Sequence, residues 1–81
     1  MKYYISKPNA HKLDEDILNG IQRTDGEVII VDSLEKADVC VFQNGWTKSR
    51  ICVSEYHMAR DKKIKRVEGY LYKDKYNVKL N

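Results

Sequence analysis

The segment from Val39 to Ile64 constrains the fold of this chain more than any other part of the sequence. It opens with four consecutive apolar residues, Val39 to Phe42, which predict a strand buried on both faces. A polar stretch containing Gly45 follows, and Ser49 can then cap a helix. A buried strand, a loop and a helix in this order are typical of an α/β domain, in which helices cover both faces of a parallel sheet.

The rest of the chain continues this alternation. The predicted elements are, in chain order, a strand at 1–6, a helix from Asn9 or Ala10 to about Arg23, a strand at 28–31, one helical turn at 34–37, a strand from Asp38 or Val39 to Phe42, a helix from Ser49 to Asp61 or Lys62, a strand from Lys65 to Tyr72 that bends at Gly69, and a terminal strand or tail at 76–80. Asn9 is the expected N-cap of the first helix. We therefore expect a small three-layer domain of the flavodoxin or Rossmann type, with a mostly parallel sheet of four to five strands.

A chain of 81 residues has room for one domain. We expect its core in residues 1–68, with residues 69–81 as a terminal strand or tail. Because domains of this size are near the lower limit for a stable core, the length also predicts a homo-oligomer.

The composition, with 42% hydrophobic and 33% charged residues, is that of a globular protein. The sequence has no apolar run of about 18 residues and no signal peptide, so we expect a cytoplasmic protein without membrane contact. Neither Cys40 nor Cys52 has a partner at CxxC or zinc-finger spacing. We expect both thiols to be reduced, and we expect no metal site and no cofactor.

The net charge is +3, and basic residues are concentrated in the last third of the chain. They are Arg60, Lys62, Lys63, Lys65, Arg66, Lys73, Lys75 and Lys79. Such a patch can meet nucleic acid or a phosphorylated ligand, but a solvated helix end and tail explain it at least as well. A nucleic-acid partner is not expected, because no recognition-helix or RNP pattern accompanies the charge.

The loops after the first and third strands indicate where a ligand binds. Right-handed crossovers place both loops at the carboxyl edge of the sheet, which is the binding edge of open α/β folds. We therefore predict a ligand-binding site there. Its candidate residues are Ser6, Lys7, Asn44, Gly45, Trp46, Lys48, Ser49 and Arg50.

Two of these residues have alternative interpretations. Trp46, the only tryptophan, either stacks on a planar ligand or folds over the domain's own edge. Ser49 and the N–H groups after it can receive an anion such as phosphate, with Lys48 and Arg50 adding positive charge. Helix capping by Ser49 is the simpler interpretation, and the two roles are compatible.

Glu55 is the candidate for chemistry, because a carboxylate near a helix start can serve as nucleophile or base. The alternative is a solvent-facing residue that helps the helix to begin. Asp38 precedes the buried strand and therefore lies at the end opposite the binding edge, where capping a turn is the simpler interpretation. Tyr3 and Tyr4 point to opposite faces of the first strand, so one of them can approach the cleft.

Several short motifs together resemble a known family. They are Tyr4-Ile5-Ser6-x-Pro8, Ala37-Asp38-Val39, Asn44-Gly45-Trp46 with Ser49, and Glu55-x-x-x-Ala59-x-x-x-Lys63-Ile64. This pattern is similar to the nucleoside 2-deoxyribosyltransferase-like superfamily, and most of all to its short bacterial and phage members. The resemblance covers residues 3–64 and is most specific from Gly45 to Lys63.

The resemblance implies roles for the glutamate and for an early tyrosine. Glu55 matches the nucleophile that attacks the anomeric carbon of a 2-deoxynucleoside, and an early tyrosine, Tyr3 or Tyr4, would orient it. It also implies a nucleoside or nucleotide ligand and an oligomer in which a neighbouring subunit completes each site.

The chain departs from the family pattern in three places. Lys7 stands where the family usually has glycine, the connection between the second and third strands is one turn without an evident base-handling aspartate, and the chain is little more than half a typical transferase. A second hypothesis is therefore a non-enzymatic phage or bacterial accessory protein that binds a host protein or sequesters a nucleotide-derived signal.

Overall fold

Short parallel strands form the centre of the fold. The structure is a computed structural model that describes residues 1–8 and 12–72. Its elements are β1 (Lys2–Ser6), α1 (Glu15–Asp25), β2 (Ile29–Ile30), a 3₁₀ turn (Leu34–Lys36), β3 (Val39–Phe42), a second 3₁₀ turn (Trp46–Lys48), α2 (Arg50–Asp61) and β4 (Lys65–Glu68).

The four strands lie in the order β2-β1-β3-β4, and every neighbouring pair is parallel. This is the start of the doubly wound order, whose direction of winding reverses between β1 and β3. The predicted α/β class is thereby confirmed. The carboxyl ends of β1 and β3 meet at this reversal point, where the backbone N–H of Gln43 donates to the Ser6 carbonyl at 2.8 Å.

The two helices cover opposite faces of the sheet, because alternate strand residues point to opposite sides. On the first face, Tyr3, Ile5 and Val41 pack against Ile17 and Ile21 of α1. On the second face, the core residues are Cys40 and Phe42 of β3, Ala59 of α2, and Leu34. The result is three layers, with β3 buried along its whole length.

The second strand differs from its prediction. Residues 28–31 read as a wholly apolar strand, but only Ile29–Ile30 pair, and these side chains are 51% and 43% exposed. The strand order explains the difference, because β2 is an edge of the sheet. An apolar run in the sequence does not distinguish an edge strand from a central one.

The predicted start of the first helix is wrong. The helix begins at Glu15, with Asp14 as N-cap accepting a bond from the Asp16 N–H at 3.0 Å. The Gln43 side chain accounts for the late start, since its Nε2 donates to the Lys12 carbonyl and its Oε1 accepts from the Asp14 N–H. The expected cap Asn9 lies outside the described residues.

The chain turns earlier after β4 than predicted. The strand ends at Glu68, and residues 70–72 have helical conformation. A Cβ at Gly69 would lie 2.5 Å from Ile17 Cδ1 and 3.0 Å from the Phe42 carbonyl oxygen, so the chain passes close to the core there. The terminal strand or tail predicted at 76–80 lies outside the described residues.

Candidate active site

The Glu55 carboxylate accepts hydrogen bonds from two side chains of β1. Tyr4 donates its hydroxyl to Oε2 at 2.5 Å, and Ser6 donates its hydroxyl to Oε1 at 2.8 Å. Tyr4 and Ser6 are two residues apart on one strand, so they share the face that α2 covers. Tyr4 and Ser6 precede Glu55 by 51 and 49 positions in the sequence, and the fold brings all three together at the carboxyl edge of the sheet.

The position of Glu55 follows from where α2 begins. Ser49 caps the helix by accepting a bond from the Cys52 N–H at 3.4 Å. Cys52 and Ala59 are fully buried against the sheet. Glu55 follows Cys52 by three residues and precedes Ala59 by four, so it lies on the same stripe of the helix. This spacing, visible in the sequence, already favours an inward-facing carboxylate.

The surroundings of Glu55 keep its neighbours protonated. Burial, followed by the hydrogen bond to Glu55, raises the pKa of the Tyr4 hydroxyl well above its ordinary value of 10.0. Burial, followed by the charge of Glu55, raises the pKa of the Cys40 thiol from 9.0 to about 12. Tyr4 therefore acts as a neutral hydrogen-bond donor, and Cys40 is an unreactive thiol at neutral pH.

Glu55 lines a cavity of about 370 Å³, the Glu55 cavity, between the ends of β1 and β2 and the start of α2. Its wall also includes Lys7 and Asp32. Three apolar side chains that line it, Leu13, Ile30 and Ile51, are 37% to 48% exposed. The cavity thus combines two carboxylates, one cation and an apolar rim.

Asp32 is a site residue that the sequence analysis missed. It lies two residues after the end of β2, and its carboxylate is 3.3 Å from Lys36 Nζ on the protein surface. Its position shortly after a predicted parallel strand is the sequence feature that indicates a site residue, since the carboxyl ends of neighbouring parallel strands meet at one edge of a sheet.

The predicted phosphate-binding residues line a neighbouring cavity. Lys48, Ser49 and Arg50 surround a space of about 310 Å³, together with Pro8 and Ile51. Pro8 and Ile51 also line the Glu55 cavity, so the two spaces adjoin.

Asn44 and Gly45 do not line either of these cavities. Asn44 is exposed, and Gly45, with φ of 89°, turns the chain into the second 3₁₀ turn. Gly45 therefore shapes the loop, since a left-handed backbone of this kind favours glycine.

The structure does not bring Trp46 to Glu55. Its indole packs on Phe42 with ring centroids 4.9 Å apart and stacks on Tyr56 at 4.9 Å with an interplanar angle of 18°. Its Nε1 donates to Glu68 at 3.2 Å. Trp46 therefore folds over the domain's own edge beside β4, which was one of its two interpretations, and does not cover a ligand in the Glu55 cavity.

Asp38 lies at the other end of the sheet, where its Oδ2 accepts from the Lys2 backbone N–H at 2.9 Å. It holds the start of β1 and is remote from the Glu55 cavity. Both cysteines are free and buried.

Within residues 1–8 and 12–72, no group of three or more His, Cys, Asp or Glu side chains could hold a metal ion. In the same part of the chain, none of the helices has the length and apolar character needed to span a membrane.

Comparisons with models of known protein families, with curated proteins and with solved structures find no match.

Proposed function

We propose that the chain binds a nucleoside or nucleotide in the Glu55 cavity, and that Glu55 is the nucleophile in cleavage or transfer of its N-glycosidic bond. The observation that carries this proposal is the pair of hydrogen bonds from Tyr4 and Ser6 to a carboxylate on the wall of an accessible cavity. The sequence resemblance assigns the same role to Glu55.

The geometry is suited to a carboxylate nucleophile. Each oxygen of Glu55 accepts one hydrogen bond, which leaves further lone pairs directed elsewhere. Both donors are neutral hydroxyls, and in the described part of the chain no cation forms an ion pair with Glu55. The carboxylate is thus fixed in position without its charge being neutralised, so it can stabilise positive charge that develops on a sugar carbon.

The reaction would proceed in two balanced steps. A Glu55 oxygen forms a bond to the anomeric carbon, while the bond from that carbon to the base nitrogen breaks and the base leaves with the electron pair and takes up a proton from solvent water. Water or a second base then attacks the same carbon, loses a proton, and releases the carboxylate. Water gives hydrolysis, and a second base gives transfer.

The cavity lining supports a ligand with both apolar and polar parts. Leu13, Ile30 and Ile51 offer apolar contact to a base or a sugar ring, and Asp32 offers a hydrogen-bond acceptor. The adjoining cavity carries Lys48 and Arg50, which suits a phosphate on the sugar. We therefore expect deoxynucleoside monophosphates to bind more tightly than the corresponding nucleosides.

The proposal is tested by incubating the protein with each deoxynucleoside and deoxynucleoside monophosphate, with and without a second free base, and measuring released and exchanged base by chromatography. Glu55→Gln keeps the size and removes the nucleophile, so turnover should fall by about 1,000-fold or more. Tyr4→Phe should reduce turnover by about 10- to 100-fold, because the carboxylate loses one of its two positioning bonds.

Glu27→Gln is the matched control, since Glu27 is exposed and lies outside the cavity. It should leave turnover unchanged. A covalent sugar adduct detected by intact-protein mass spectrometry in the wild type and absent in Glu55→Gln would support the nucleophilic step. Turnover that is undetectable in the wild type, or equal in wild type and Glu55→Gln, contradicts the catalytic role.

Ligand sequestration without turnover is the second candidate. The cationic part of the lining favours it, because Lys7 in the Glu55 cavity and Lys48 and Arg50 in the adjoining cavity suit retention of an anionic ligand whether or not it is turned over. Thermal-shift measurements with the same nucleotides separate the two functions. Stabilisation of the wild type and of Glu55→Gln alike, without released base, indicates sequestration.

A further inference from the structure

The outer edge of β4 is unpaired within the part of the chain that the structure describes. The strand order places β4 at one end of the sheet, and among residues 1–8 and 12–72 no strand pairs with its outer side. A groove of about 630 Å³, the β4 groove, runs along it. Its lining comes from both faces of the sheet, with Trp46 and Tyr56 on one side and Val67 and Tyr72 on the other. The groove therefore occupies the place of an additional strand.

The backbone of β4 fixes which groups point outward. The Gly69 N–H donates to the Phe42 carbonyl at 2.7 Å, so Gly69 bonds toward β3. Backbone groups alternate in direction along a strand. The N–H and C=O groups of Arg66 and Glu68 are consequently directed into the β4 groove.

The side chains of these two residues carry opposite charges on one face of the sheet. Arg66 lies over the Tyr56 ring, with its guanidinium carbon 4.4 Å from the ring centroid, and Glu68 accepts the bond from Trp46 Nε1. Both side chains are exposed but held in place by these contacts. A two-fold axis through Val67 would set Arg66 of one copy opposite Glu68 of the other, twice.

We propose that the chain forms a two-fold homodimer in which β4 pairs antiparallel with β4 of a second copy. Val67 lies on the axis as a non-hydrogen-bonded pair with itself, and Arg66 and Glu68 form the two hydrogen-bonded pairs on either side. This register uses the outward backbone groups and matches the opposite charges at the same time. The two four-stranded sheets then become one continuous sheet.

The other edge of the sheet lacks these features. β2 pairs over two residues only, Ile29 and Ile30, and carries no charge that could fix a register. β4 has four residues and a charge pattern that is complementary to itself. A second copy of the chain therefore fits the β4 edge better than it fits the β2 edge.

Sedimentation equilibrium of the full chain tests the interface and its register. Arg66→Glu places two carboxylates opposite each other at both pairs, and Glu68→Arg does the same with two guanidinium groups. Each variant alone should raise the dimer dissociation constant at least tenfold. A one-to-one mixture of the two variants should associate as a heterodimer, because both cross-strand pairs are then again of opposite charge.

Ile30→Lys is the control at the β2 edge and should leave the dissociation constant unchanged. Three results overturn the proposal. The wild type stays monomeric at the highest protein concentration measured, Ile30→Lys disrupts the dimer, or Arg66→Glu and Glu68→Arg do not associate when they are mixed. Circular dichroism of each variant shows whether it is folded.

Oxidative cross-linking tests the register without changing these charges. Cα atoms of a non-hydrogen-bonded antiparallel pair are about 4.5 Å apart, within the range that a disulfide spans. Val67→Cys should therefore cross-link into a dimer, whereas Lys65→Cys, which lies opposite Gly69 in this register, should not. Equal cross-linking of both variants contradicts the register.

Discussion

The side chain of Gln43 joins the sheet to the segment that leads into α1, and its removal should be costly. Gln43 follows β3 and is 5% exposed. Its Nε2 donates to the Lys12 carbonyl at 2.7 Å, and its Oε1 accepts from the Asp14 N–H at 2.9 Å. Gln43→Glu keeps the size of the side chain and this acceptor, but it replaces the donor with an oxygen that faces the Lys12 carbonyl.

The expected loss follows from these contacts. One hydrogen bond, worth about 1 kcal/mol, disappears, and a buried carbonyl without a donor costs about 1–3 kcal/mol more. The sum of about 2–4 kcal/mol is a large share of the roughly 4–12 kcal/mol expected for a domain of this length. Urea unfolding at neutral pH should therefore show a midpoint lower by about 2 M or more, at an m-value of about 1 kcal/mol per M.

The pH dependence and a control complete this prediction. Burial beside a carbonyl should raise the pKa of the introduced carboxyl above its value of about 4.3 in the unfolded chain. The protonated form can again donate to the Lys12 carbonyl, so the loss of stability should shrink at low pH and grow as the pH rises through the folded-state pKa of the introduced carboxyl.

Gln22→Glu, at an exposed position of α1, is the control and should change stability by less than about 0.5 kcal/mol. Equal effects of the two substitutions would refute the role given to Gln43.

Three further predictions concern stability, each measured by urea unfolding. Gly20→Ala should destabilise by about 1–3 kcal/mol, because a Cβ there would lie 2.6 Å from the Tyr72 carbonyl oxygen, whereas Asn19→Ala, on the exposed side of α1, should have no such cost. Folding raises the pKa of the Cys40 thiol from 9.0 to about 12, so the unfolded chain loses this proton first and the free energy of unfolding should fall as the pH rises from 9 toward 12. Cys40→Ala should reduce the slope of that fall by up to about 1.4 kcal/mol per pH unit. An unchanged slope would contradict the raised pKa of Cys40. Tyr4→Phe should cost about 1–2 kcal/mol in the wild type but clearly less in a Glu55→Ala background, and an equal cost in both would mean that the Tyr4 hydroxyl does not stabilise through Glu55.

The elements predicted most accurately are those whose signals are local. β3 and α2 follow an uninterrupted apolar run and a serine cap, and their bounds agree with the prediction. The parallel order of the strands then places the ends of β1 and β3 side by side, as expected from the crossovers.

The errors arise where a distant side chain or the position in the sheet decides the local structure. α1 begins at Glu15 because Gln43, more than thirty residues after Lys12, binds the segment before it. Trp46 turns toward β4 because Phe42 and Tyr56 offer their rings there. Neither contact has a signature in the sequence near the affected residue, whereas the inward position of Glu55 does have one in its spacing to Cys52 and Ala59.

Glu55 and Tyr56 are consecutive residues of α2, and this adjacency ties two distant surfaces together. Glu55 faces β1 and the carboxyl edge, while Tyr56 lies between Trp46 and Arg66 beside β4. A helix that rotates about its axis moves both side chains together. Arg66 contacts the residue next to Glu55, so association and ligand affinity should be measured on the same Arg66 variants.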